Sequence, residues 1–150
     1  MEKLDVSLGF LEFPPVHTCD GEDLSPLIRI GNPRGQFLAL MAINPFIPSC
    51  CSFSTWIAWN IPVTGIIPSG IPRDPVVSDP VSAVQGTNDW GTIGYRGPCP
   101  RPGTTHRVTF KVWALDGPVP VPPGSRKADL VAGMRGHVLA YGDTMALYSR

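Results

Sequence analysis

The sequence predicts a mostly β chain with one or two short helices, and three observations carry that expectation. Residues 106–115 (HRVTFKVWAL) separate into two clean faces at a period of two: His106, Val108, Phe110, Val112 and Ala114 on one side, Arg107, Thr109, Lys111 and Trp113 on the other. Residues 37–43 (FLALMAI) form a continuous apolar run of strand length, the pattern of a strand covered on both faces. The chain also holds 18 Pro and 16 Gly in 150 residues yet is 43% apolar, which suits short strands joined by many turns around a real core.

Length and charge narrow the class further. At 150 residues a single domain, 1–150, is expected. The 12 basic and 12 acidic residues balance and are spread along the chain, with no basic stripe, so nucleic acid is not an expected partner. No apolar run approaches the roughly 20 residues of a membrane-spanning helix. The opening MEKLDVSLGF lacks the charged-then-apolar pattern of a secretory leader. A soluble, cytoplasmic protein is the expectation.

In chain order, Leu4–Phe10 reads as an edge strand, and FPPVHTCDGEDLSP as loop. Strand 37–43 is followed by the Pro-interrupted NPFIPSCCSFS and then by TWIAWNIP, residues 55–62, rich in Trp and Ile as strands are. Residues 63–105 are a long Pro- and Gly-rich excursion, and loops this long in a compact domain are usually functional. Strand 106–115 comes next. SRKADLVAGMRG, residues 125–136, is the one good helix, with Ser125 as candidate N-cap and Gly136 as candidate stop, so a helix near 126–134 is predicted. HVLAYGDTMALYSR closes the chain as a strand with a kink expected at Gly142.

None of the four cysteines, Cys19, Cys50, Cys51 and Cys99, forms a Cys-x-x-Cys pair, so no zinc site is expected, and no motif calls for a cofactor. In a reducing cytosol they read as small, partly buried thiols; a Cys19–Cys99 bridge is left open.

The chemistry concentrates in RGPCPRPGTTHR, residues 96–107. Three prolines stiffen the loop, and Gly94, Gly97 and Gly103 allow close backbone approach. Stiff backbone with free N–H groups suits an oxyanion. The loop delivers His106 to the apolar face at the lip of the core. An imidazole there is either a hydrogen-bonded structural residue or a ligand contact that titrates near neutrality.

The stretch GTIGYRGPCPRPGTTHRVTFKVWALD resembles the signature of the phosphatidylethanolamine-binding protein family, also called the Raf kinase inhibitor protein family, in its bacterial and archaeal branch. Four further stretches resemble it in the family's order: HTCDGEDLSPLIRI, FLALMAINPFIPSCCSFSTWIAWNIP, GTNDWGTIGYRGPCP and MRGHVLAYGDTMALYSR. The resemblance implies an antiparallel β-sandwich with one or two peripheral helices and a small anion pocket at one end of the larger sheet. It places Asn44, Pro45, Thr55, Gly97, Pro98, Pro100 and His106 at ligand-binding positions. It also implies a cis peptide at Ile47–Pro48, with His106 lying beside Asn44 and Thr55.

Two of those positions depart from the family pattern. Asn44 stands where the family has the first Asp of Asp-Pro-Asp-Ala-Pro, and Phe46 where it has the second; Thr55 stands where it has the His of His-Trp; Val108 replaces an aromatic residue. An Asp beside histidines raises their pKa and favours imidazolium, which Asn44 cannot do. The expected ligand is therefore a small phosphate-like anion, bound weakly. The family's kinase- or protease-inhibitor descriptions leave room for a protein partner, and its prokaryotic members for a homodimer. Two alternatives stand beside this reading: a hydrolase using Thr55, Cys50, Cys51 or Cys99 with His106, although no Gly-x-Ser-x-Gly elbow is present, and a protein-interaction module with a vestigial pocket.

Overall fold

The computed structural model describes residues 2–48 and 52–150. Ten strands and one α-helix follow in chain order: β1 (Glu2–Lys3), β2 (Asp5–Ser7), β3 (Ile28–Gly31), β4 (Phe37–Ile43), β5 (Ser54–Pro62), β6 (Ile66–Ile67), β7 (Val76–Val77), β8 (Ala83–Gln85), β9 (Thr105–Leu115), α1 (Lys127–Met134) and β10 (Val138–Ser149). A short 3-10 turn covers Pro15–His17. The larger sheet runs β1-β10-β9-β4-β5-β8-β7 and the smaller β2-β3-β6. All pairings are antiparallel except β1 with β10, which is parallel.

Strand β4 explains its own composition. It lies between β9 and β5 at the middle of the larger sheet. Leu38, Leu40 and Ala42 point toward the smaller sheet, in one core with Ile28, Trp56, Phe110 and Val112. Ala39, Met41 and Ile43 point the other way, in a second core with Ile57, Trp59, Leu115, Leu130 and Met134. A strand covered on both sides needs no alternation, so its run is continuously apolar. Fully burying each large side chain of this kind contributes roughly 1.5–3 kcal/mol. Trp56 is buried with its indole N–H donating to Gln85 Oε1 at 2.8 Å, and the Gln85 amide donates to the carbonyls of Pro72 and Asp74. That chain of bonds fastens the irregular excursion to the core.

Several boundaries differ from expectation. The first strand is two: the chain passes from the larger sheet to the smaller at Leu4, which is buried between them. Strand β10 pairs with β9 straight through Gly142, and the irregularity lies at Val138/Ala140 instead. Gly142 serves a close approach: a Cβ there would stand 2.2 Å from the Leu4 carbonyl oxygen. The helix starts at Lys127 with Arg126, not Ser125, at its cap, where Asp129 Oδ2 accepts the Arg126 N–H at 3.3 Å. Gly136, at φ +79°, follows its end as expected. No helix of the described residues is long and apolar enough to cross a membrane.

Candidate functional site

Three segments meet at one end of the larger sheet. The first is the turn after β4. Asn44 is buried, and Ile47 N–H donates to its carbonyl at 3.4 Å, which closes the turn. The peptide Ile47–Pro48, expected to be cis, is not; among the described residues the cis peptide is Asp79–Pro80. The hydrogen-bonded turn at Asn44 reverses the chain without it.

The second segment is the loop 96–104, held from several sides. Arg96 N–H donates to the Thr55 carbonyl at 3.2 Å, Gly97 N–H to Asp23 Oδ1 at 2.8 Å, and Gly103 N–H to the Arg150 carbonyl at 2.6 Å. Gly97 must be glycine, since a Cβ would stand 2.0 Å from the His17 carbonyl oxygen. The third segment is 17–23, which carries Cys19 and Asp23. Tyr95 O–H donates to the His17 carbonyl at 2.7 Å, and the Arg73 guanidinium bonds the Tyr95 and Asp23 carbonyls.

Cys19 and Cys99 form a disulfide across 80 residues of sequence, with Cα atoms 5.4 Å apart. This corrects the reading of these two as free thiols: the fold lays their loops side by side, which sequence distance conceals. Cys50 and Cys51 lie outside the described residues.

His106, the second residue of β9, sits where these segments converge. Asn44 Oδ1 accepts the Phe46 N–H at 3.0 Å, so Asn44 turns its amide N–H toward His106 Nδ1, 3.1 Å away. Nδ1 therefore accepts, and the ring proton of the neutral imidazole is on Nε2. Burial pushes the His106 pKa below its ordinary value. The amide donor adds to this, because it faces an N–H in the imidazolium form. The Phe46 ring stacks on the imidazole at 5.7 Å between centroids, and Arg107 lies over its ring.

Two cavities share His106, Cys99 and Ile47 in their walls. The larger, about 500 Å³, is otherwise lined by Phe46, Pro48, Arg101, Thr104 and Thr105. The smaller, about 300 Å³, is lined also by Cys19, Asp23, Trp90, Arg96 and Gly97. Arg96 lies over the Trp90 ring, 4.7 Å from its centroid, and Trp90 packs edge-on against Phe53.

Of the sequence-expected residues, Asn44 and His106 come into direct contact, and Gly97 lines the smaller cavity. Thr55 is buried, and its hydroxyl donates to the Ala42 carbonyl at 3.4 Å; it lines neither cavity, and its carbonyl anchors the loop. Pro98 and Pro100 are buried in the loop, and Pro45 is exposed in the turn; none of the three lines either cavity. Asp23, Trp90, Arg96, Arg101 and Thr104 were missed. The only signal for them was charge and aromaticity set into Gly-Pro-rich loop.

Fold and site together define a two-sheet sandwich with a cleft around a histidine at one end of the larger sheet. A family model described as phosphatidylethanolamine-binding protein matches residues 9–149. The chain belongs to that family. It is 41% identical to a UPF0098 protein of Pyrococcus horikoshii, covering 99% of this chain and 76% of that one. It is 39% identical to a UPF0098 protein of Pyrococcus abyssi, over 100% and 86%. Among solved structures, the phosphatidylethanolamine-binding protein homologue CT736 of Chlamydia trachomatis superposes with a TM-score of 0.84 at 27% identity, over 100% of this chain and 99% of that one. YbcL of Escherichia coli, described as a new member of the mammalian family, gives 0.83 at 27% identity over 99% of both.

Proposed function

We propose that this protein binds a small phosphate-like anion in the cleft at His106, weakly near neutral pH, and that it acts as a binding module, not an enzyme. The carrying observation is the Asn44–His106 pair. It keeps the imidazole neutral and leaves Nε2–H as a single uncharged donor for a ligand. Arg96 and Arg101, one in each cavity wall, supply positive charge from the loop, while Asp23 opposes it in the smaller cavity. A neutral histidine and screened arginines hold an anion less tightly than charge-assisted bonds from an imidazolium would.

Binding is favoured over hydrolysis because the nucleophile candidates described are engaged: the Cys99 sulfur in a disulfide, the Thr55 hydroxyl with a backbone carbonyl. An inhibitory or regulatory role of the family's kind would act through a protein partner, for which Phe46, 52% exposed at the mouth of the cleft, is the contact of choice. The Cys19–Cys99 bridge favours a compartment where disulfides persist, either outside a reducing cytosol or in the cytoplasm of a disulfide-rich thermophile.

The test is calorimetric titration with inorganic phosphate across pH 5–8. Affinity should rise as pH falls through the lowered His106 pKa, because imidazolium then meets the anion. His106→Ala should remove most of the binding and the rise in affinity that follows His106 protonation, leaving only the dependence that comes from phosphate's own ionisation. Tight, pH-independent phosphate binding that survives His106→Ala would overturn the reading.

A further inference from the structure

The helix-bearing face of the larger sheet carries a second concavity, which shares no lining residue with the two cavities at His106. It lies between α1 and strands β4 and β9, with a volume of about 450 Å³. Its floor is apolar: Met41 and Ile43 from β4, Trp113 from β9, Val131 from α1. Three cations rim it from opposite sides: Lys111 on the sheet, Lys127 and Arg135 at the two ends of the helical segment.

The cations are not equivalent. Lys127 is paired with Asp89 at 2.6 Å and also donates to the Ser52 carbonyl. Among the described residues, neither Lys111 nor Arg135 has a carboxylate within ion-pairing distance. The acidic group nearest in register is Asp143, across from Lys111 on β10, and its carboxylate accepts the Tyr141 hydroxyl at 2.7 Å. An apolar trough flanked by two unpaired positive charges is complementary to one kind of occupant, an apolar body with an anionic end. Val131, 41% exposed, adds open apolar surface to the trough.

We propose that this groove is a binding site for an alkyl monocarboxylate of medium chain length. The chain lies on Met41, Ile43, Trp113 and Val131, and the carboxylate meets Lys111 and Arg135. A singly charged head fits better than a doubly charged phosphate, since the groove is mostly apolar and each added charge must be desolvated. The concave shape and modest volume suit a small molecule over a protein surface.

The test uses hexanoate, octanoate and decanoate in calorimetric titration, with amide shifts followed by NMR on the full chain. Affinity should rise about fourfold for each methylene buried. The largest shifts should fall on Lys111, Trp113 and Val131. Lys111→Gln and Arg135→Gln should each weaken octanoate binding about fivefold, the scale of a partly exposed ion contact. Val131→Glu, at an exposed position, should abolish it. Octylamine, with the same chain and the opposite charge, should not bind the wild type. That last arm needs no variant to fold. Any of four results would overturn the proposal: octylamine binding as well as octanoate; affinity independent of chain length; shifts confined to Gly97–His106, which would assign the carboxylate to the other cleft; or no binding together with a concentration-dependent dimer whose interface shifts cover this groove, which would assign the face to a second copy.

Discussion

At the scale of single residues, one amide decides the electrostatics of the cleft. Asn44 is buried with both ends of its amide engaged, Oδ1 with Phe46 N–H and Nδ2 with His106. The sequence made His106 and Asn44 legible as a pair only through the order of five motifs, because 62 residues separate them. Thr55 was not legible. The register of β4 against β5 shifts between Ala42 and Ile43, leaving Thr55 unpaired between Trp56 and Ser54, and this bulge sends its hydroxyl to Ala42. A bulge depends on two strands at once, so no single stretch announces it. An Asn44→Asp substitution should replace a neutral donor with an acceptor and a negative charge. The proton then moves to stabilise imidazolium, and the His106 pKa should rise from below its ordinary value to above it. NMR titration of the imidazole reads this directly. A pKa that stays depressed in the Asp variant would mean that burial alone sets it.

At the scale of elements, strands β4, β5 and β9 were legible because their patterns are long enough to be unambiguous. Strands β6, β7 and β8, of two or three residues each, were not. Strands so short have no period to read, and their pairing is imposed by neighbours such as Gln85, whose side chain anchors Pro72 and Asp74. The 96–104 loop is the element on which the cleft depends, and its distal half is tied by different means from its proximal half. Arg96 and Gly97 are fixed by hydrogen bonds to Thr55 and Asp23, while Cys99 is fixed by its bridge to Cys19, and Arg150 donates to the Pro100 carbonyl at 3.2 Å. Both cysteines are exposed, so a thiol reductant has access. In the chain-entropy picture, a bridge over 80 residues constrains the unfolded chain by about 4.5 kcal/mol. A Cys19→Ser, Cys99→Ser double variant should therefore lose up to about 4.5 kcal/mol in denaturant unfolding. Amide exchange should quicken from Cys99 to Thr104 before it does at Arg96 and Gly97. Equal quickening along the whole loop would show that the bridge, not the hydrogen bonds, holds its proximal half as well.

At the scale of the whole molecule, the titrating groups set the edges of a stability profile, and the sign of each can be worked out. His106 has a lowered pKa in the fold, so between its ordinary value near 6.5 and the lower folded value the unfolded chain binds more protons. Its contribution is present above that window and is lost as pH falls through it. Asp89 is pulled upward by burial, but the Lys127 ammonium and the Ser54 N–H at 2.8 Å outweigh this and hold it below 3.8. Its contribution is present above the unfolded value and is lost as pH falls through the folded one. Because Asp89 joins Ser54 at the start of β5 to Lys127 at the start of α1, that second loss loosens the helix from the sheet. On the alkaline side, Tyr95 is raised well above 10 by burial, and Tyr141 is raised by burial and by its bond to Asp143. Both keep their protons in the fold longer than in the unfolded chain, so stability falls as pH rises past about 10. The expected profile from chemical denaturation is a plateau from near pH 7 to near pH 10, a first decline just below pH 6.5, a second below pH 4, and an alkaline decline. Variants separate the edges. Asn44→Asp should remove or reverse the first decline and leave the others, since a raised His106 pKa contributes stability toward acid. Lys127→Met should shrink the second decline and leave the first, because Asp89 loses the partner that lowers it. A profile in which Asn44→Asp leaves the decline below pH 6.5 unchanged would detach that edge from His106, and the coupling of the cleft to the stability of the whole chain would fall with it.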